Sequence, residues 1–90
     1  MPQKLKLKNN WCVYILCLNN NSFYTGITND LNKRLAQHAN KKGSKYVKSH
    51  LPFKLVYVEK WPNRSLASKR EYEIKQLTRK QKMEIIRRKV

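Results

Sequence analysis

Acids are scarce in this 90-residue chain: five Asp and Glu stand against 21 Lys and Arg, for a formal net charge of +16. Such an excess creates a positive field that draws in polyanions and releases their counterions on binding. Nucleic acid is the leading partner, DNA before RNA, and an anionic membrane surface is the weaker one. Long apolar runs are missing too. None approaches the ~18 residues of a membrane span, and the start MPQKLKLKNN has no apolar leader core. A cytoplasmic protein with no membrane insertion is expected. Cysteine is limited to Cys12 and Cys17, which in one strand would lie ~16 Å apart, beyond the ~7 Å limit of a disulfide. With only two histidines and no metal-ligand spacing, a zinc site is not indicated, and both thiols read as buried apolar groups. No repeat or low-complexity segment is present. One domain with a modest core is the expectation, and nothing specifies an assembly beyond a monomer.

What is present divides cleanly. Residues 1–9 form a basic arm, expected to be mobile, in which lysines alternate with leucine. Trp11 to Leu18 (WCVYILCL) is a continuous β-favouring run, consistent with a buried strand. Asn19-Asn20-Asn21-Ser22 is turn chemistry, and Phe23 to Ile27 completes an antiparallel hairpin. If like parities pair, Tyr14 and Tyr24 share one face, opposite an aliphatic face of Trp11, Val13, Ile15, Phe23 and Ile27. Thr28-Asn29-Asp30 then opens a helix. Within it Leu31, Arg34, Leu35 and His38 fall on one stripe, while Lys33 and Gln37 lie off it. Residues 40–53 read as a long basic loop, of a length that is often functional. Lys54 to Lys60 alternates as a third strand, and Trp61 is assigned to the core edge. Asn63 or Ser65 caps a second helix from about Leu66 to Leu77, and a further helix is expected from about Arg79 to Arg88.

The spacing Val13-Tyr14, Tyr24-Thr25-Gly26, Arg34 ten residues and His38 fourteen residues past the second tyrosine, then Ala67-x-x-x-Glu71-Tyr72, resembles the GIY-YIG nuclease domain. More closely it is similar to the small stand-alone bacterial members of uncharacterised role. Tyr24-Thr-Gly-Ile-Thr-Asn-Asp-Leu31, Gly43-Ser-Lys-Tyr46 and Arg70-Glu-Tyr-Glu-Ile-Lys-Gln-Leu77 carry that likeness. It covers residues 10–83, leaving 84–90 as a basic tail. The resemblance implies an α+β fold: a three-stranded antiparallel sheet flanked by helices, in the order β-β-α-β-α with a further C-terminal helix. It also implies one-metal cleavage of DNA phosphodiesters. By motif, Tyr14 and Tyr24 take the places of the two tyrosines and Gly26 that of the structural glycine. Arg34 matches the catalytic arginine, His38 the histidine one turn on, and Glu71 the metal-binding glutamate. Departures are Cys12 for the first motif's glycine, Thr25 for the second motif's isoleucine, and Met83 where many nucleases carry an asparagine. Gln81 or Lys82 would have to replace that amide.

On this reading Arg34 clamps the phosphate with its planar fork, and Glu71 holds one Mg²⁺ or similar divalent ion. Tyr14 is the proton acceptor, with its pKa drawn down by nearby positive charge. Tyr24 positions water or phosphate, and His38 relays a proton or orients its neighbour. Helical geometry alone does not choose between Glu71 and Glu73. Lys33, Lys41, Lys42, Lys45 and Lys48, interleaved with Tyr46, suit backbone tracking plus a stacking ring. The leading expectation is an endonuclease acting on branched, nicked or single-stranded DNA. The alternative is a non-catalytic nucleic-acid-binding module with the same fold; a protein seated on a ribosome-like RNA surface is the third reading.

Overall fold

The computed structural model describes residues 10–88, so the N-terminal arm and the last two residues lie outside the described residues. Strand β1 (Trp11–Leu18) is apolar on both faces because both are covered. It is the middle strand of an antiparallel sheet ordered β2-β1-β3, with β2 at Phe23–Thr28 and β3 at Phe53–Trp61. Odd-numbered Val13 and Ile15 join Ala67 and Ile74 of helix α3 (Arg64–Lys75), with Ile85 and Ile86 of α4 (Arg79–Arg88) completing that side. Even-numbered Tyr14, Leu16 and Leu18 pack against Leu31 and Leu35 of α1 (Leu31–Ala39) and Val47 of α2 (Lys45–Ser49). The sheet is thus sandwiched between two helical layers. The face bearing the phenols is as much a core face as the aliphatic one.

The hairpin register pairs residues of like parity: Tyr14 faces Gly26, and Leu16 faces Tyr24. Its turn is stabilised by Asn21, which adopts the left-handed region at φ 66°, and by Asn20 Oδ1, which accepts from the Ser22 hydroxyl at 2.6 Å. Against β3 the register slips between Ile15 and Leu16. The extra residue breaks the alternation, so Val56 and Tyr57 both join the odd-face cluster.

Two sequence expectations change. The segment 40–53 is not all loop. Ser44 caps α2 by accepting from the Tyr46 amide at 3.1 Å, and the buried Val47 anchors that helix. The second long helix begins earlier than Leu66, because Asn63 is the cap, accepting from Leu66 N at 2.9 Å. Leu66 itself is exposed. The apolar centre of α3 is Ala67–Ile74, flanked by Arg70 and Glu71.

Candidate functional site

The hairpin and α1 bring four of the expected residues together. Tyr14 crosses the sheet over Gly26, close enough that a Cβ on Gly26 would sit 2.6 Å from the phenol oxygen. No glycine in the described chain has positive φ. Gly26 is therefore required for space, and backbone freedom plays no part. Tyr24 stands diagonally across, ring centroids 6.4 Å apart. His38 rises from α1 between the rings, 6.0 Å from Tyr14 and 5.5 Å from Tyr24, with Phe53 at 6.2 Å on a further side. Its Nε2 lies 3.0 Å from the Tyr14 oxygen. Both residues are 1% exposed. Gly43 closes the cage: a Cβ there would overlap the His38 ring at Nδ1, which is buried and has no hydrogen-bond partner among the described residues.

Electrostatics follow from that enclosure. Burial, reinforced by the Arg34 charge, lowers the His38 pKa, so the imidazole is neutral at pH 7. Burial also raises the Tyr14 pKa, outweighing the Arg34 guanidinium that favours phenolate. The expected downward shift at Tyr14 is thus reversed, because desolvation of a buried phenolate costs more than one nearby cation returns. Arg34 is half-buried and donates to Gln37 Oε1 at 3.0 Å. The two phenols stand near enough to raise its own pKa, Tyr14 more than Tyr24.

Glu71 comes from a different element. It lies on α3, which covers the other face of the sheet, and pairs with Lys75 at 3.1 Å. Among the described residues no hydrogen bond or ion pair links it to Tyr14, Tyr24, Arg34 or His38. Its neighbour Arg70 donates to Glu59 Oε1 on β3 at 2.8 Å. Glu71 therefore occupies the opposite flank of α3, the one towards β2. No group of three or more His, Cys, Asp or Glu converges among the described residues. Gln81, one candidate for the absent amide, is engaged locally. It completes a capping box for α4, its Oε1 accepting from Thr78 N at 2.9 Å while its own amide donates to Thr78 Oγ1. Met83 is exposed.

Lys33, Lys41, Lys42, Lys45 and Lys48 are all exposed. Tyr46 is prearranged among them: its ring lies 4.5 Å from His50, and its oxygen is 3.0 Å from Ser22 Oγ. Sequence reasoning missed two features. Gly43 read only as a loop breaker, since its contact with His38 is tertiary. Glu59 is the hub of a polar network, accepting from Tyr57, Trp61 and Arg70. Its only local signal was an acid within an otherwise apolar and basic strand.

Both cysteines are free, and among the described residues no helix is long and apolar enough to cross a membrane.

Comparison with known proteins agrees with this fold. A UPF0213 protein of Staphylococcus epidermidis is 50% identical over 74 residues, covering 82% of this chain and 90% of that protein. One from Clostridium perfringens is also 50% identical over 74 residues, covering 82% of this chain and 80% of its own. The solution NMR structure of an E. faecalis protein matches with TM-score 0.64 at 35% identity, covering 92% of this chain and 88% of that one. That of a UPF0213 protein from Bacillus halodurans gives 0.56 at 40% identity, over 86% and 82%. Residues 10–84 match the GIY-YIG catalytic domain, and the chain belongs to that family, alongside the small bacterial UPF0213 proteins.

Proposed function

We propose that the protein is a metal-dependent endonuclease that hydrolyses DNA phosphodiester bonds. The observation that carries this reading is the buried Tyr14–His38 contact, set beside Arg34 and Tyr24 in a strongly basic chain. An imidazole nitrogen with no hydrogen-bond partner among the described residues, on a ring held against a phenol and beside a guanidinium, supports a functional reading.

In this reading Arg34 binds the scissile phosphate through its planar fork and stabilises charge that develops on its oxygens. Tyr24, half-buried beside it, orients the attacking water. Tyr14 accepts the water's proton while its own hydroxyl proton moves to His38 Nε2. Neither transfer is favourable in the resting protein, because burial and Arg34 both oppose a charged His38. A phosphate on Arg34 cancels the nearer positive charge and raises the His38 pKa as substrate arrives. The acceptor is thereby primed by its own substrate.

Family nucleases generally use a divalent metal, which when bound acts as a Lewis acid on the phosphoryl and leaving oxygens. Glu71 is the residue that would hold it. Its carboxylate is partly exposed, and its ion pair with Lys75 is a surface pair of small worth. Mg²⁺ commonly takes one protein carboxylate and completes its shell with water and phosphate oxygens. The donor set fits. Lys33, Lys41, Lys42, Lys45 and Lys48 would track the backbone, and Tyr46 offers a stacking ring.

A second reading, a nucleic-acid-binding module without efficient catalysis, is favoured by the engagement of Gln81 in a helix cap and by exposed Met83 at the amide position. Supercoiled plasmid and branched DNA, incubated with Mg²⁺ or EDTA, separate the two. Nicking that needs the metal and disappears in Tyr14→Phe, Arg34→Ala and Glu71→Ala supports the nuclease. Binding without metal-dependent cutting supports the module. Cutting that survives EDTA or all three substitutions overturns the assigned residues.

A further inference from the structure

Arg34 faces two ways. Its stem belongs to the tyrosine cluster, but its side chain also borders an open cleft of about 380 Å³ at the end of β2. That volume lies at the lower end of the ~300–1,000 Å³ typical of ligand sites. One wall is α1, with Lys33 and Arg34; the opposite wall is Arg64, the first residue of α3, beside Trp11. The Arg64 guanidinium carbon lies 5.5 Å from the centre of the Trp11 ring. An exposed arginine normally sweeps a wide volume; this one is held in place by cation–π attraction.

Among the described residues three cations line the cleft and one carboxylate, Asp30, which is committed to capping α1 by accepting from Lys33 N at 3.2 Å. Both helices bring their positive N-terminal ends to this edge. Neither has an acid within its first turn, where one would be favourable; α1 carries Lys33 there and α3 carries Arg64. Placing cations at these positions works against helix stability. It makes sense if an anion is to be drawn between them.

We propose that this cleft seats a nucleic-acid strand through two phosphates. Arg34 and Lys33 grip one, and Arg64, propped by Trp11, grips its neighbour along the chain. The proposal deepens the nucleic-acid reading above and rests on it. It adds Arg64 and Trp11 as substrate-binding residues and makes an extended phosphodiester strand, rather than an isolated phosphate, the ligand. Trp11 also supplies a reporter, since the only other tryptophan, Trp61, is tied to Glu59 at 2.8 Å.

The test uses the full chain carrying Trp61→Phe, in EDTA so that no cleavage is needed. It is titrated with single-stranded thymidine octamer and, separately, with inorganic phosphate. Trp11 emission is expected to change on octamer binding at concentrations where inorganic phosphate has no effect. Arg64→Ala should weaken octamer binding about tenfold and reduce the slope of log K against log salt by ~0.7, one phosphate contact on a single strand. Arg64→Lys, which keeps the charge but loses the planar fork, should restore the slope and only part of the affinity. Arg64 is exposed, so a thermal melt should show all variants folded. Unchanged affinity and slope in Arg64→Ala overturn the proposal, as does equal response to inorganic phosphate, or no octamer binding at all. If octamer binds as described but plasmid is never cut, the catalytic reading fails and this one stands. If plasmid is cut normally by Arg64→Ala with unaltered binding, the reverse holds.

Discussion

Replacing Gly26 by alanine tests the core of the site most sharply, because two physical effects predict opposite signs. Gly26 has an ordinary negative φ, where Gly→Ala usually stabilises by ~0.4–1 kcal/mol by restricting the unfolded chain. In this fold, however, the new methyl would lie 2.6 Å from the Tyr14 oxygen and 2.7 Å from its ring carbon Cζ. Ordinary carbon contacts are ~3.5–4 Å, so the ring would have to retreat by about 1 Å. Tyr14 has little room to do so, being 1% exposed and enclosed by His38 and α1. Overpacking of this kind costs ~1–3 kcal/mol. For a domain of this size Tm changes by ~4–8 °C per kcal/mol, so a fall of about 5–20 °C is expected. Thermal and urea unfolding followed by circular dichroism would measure it. The same substitution in a Tyr14→Leu background should be neutral or slightly stabilising, since the obstructing ring is gone. In a Tyr14→Phe background the cost should largely persist, because Cζ remains. An equal penalty in all three backgrounds would refute the assignment of Gly26 to ring clearance.

Three further outcomes follow from the same geometry. Gly43→Ala should push His38 out of its cage and bring its pKa back towards the ordinary 6.5, readable by NMR titration of the ring protons; an unmoved pKa would sever the two residues. The folded-state pKa of His38 is depressed, so the unfolded chain binds more protons once pH falls below ~6.5. Stability should therefore be full near pH 7 and decline as pH drops through 6.5 towards the depressed value, and His38→Gln should flatten that slope in urea melts at pH 5 to 7. Glu59→Ala should destabilise by ~1–3 kcal/mol, because it leaves the Trp61 N–H and the Arg70 Nε–H without the acceptor they share. Glu59 itself is pushed up by burial, but the Arg70, Tyr57 and Trp61 hydrogen bonds win and lower its pKa. Its contribution should accordingly persist down to the ordinary carboxylate range and be lost only as pH falls below it, visible as acid unfolding that Glu59→Gln removes.

Local chemistry made most of the architecture legible. An unbroken apolar run such as Trp11–Leu18 belongs in the middle of a sheet, Asn19–Asn21 turns a hairpin, and Leu31, Arg34, Leu35 and His38 share a stripe whatever they meet. Parity placed both tyrosines on one face once the register paired like parities, as it does. The sequence also determined, by motif, which arginine and histidine stand with them. It could not say that this face would be roofed by α1 and a hidden turn of helix, because Val47 and Gly43 acquire their roles only through partners distant along the chain. Burial then decided the chemistry. It left His38 neutral and turned Tyr14 against ionisation, reversing the expectation drawn from net charge, since a low-dielectric enclosure outweighs a single neighbouring cation. Tertiary structure likewise packed α3, the helix that carries Glu71, on the face of Val13 and Ile15, and brought Arg64 across from Arg34, thirty residues apart in sequence, to line the same cleft.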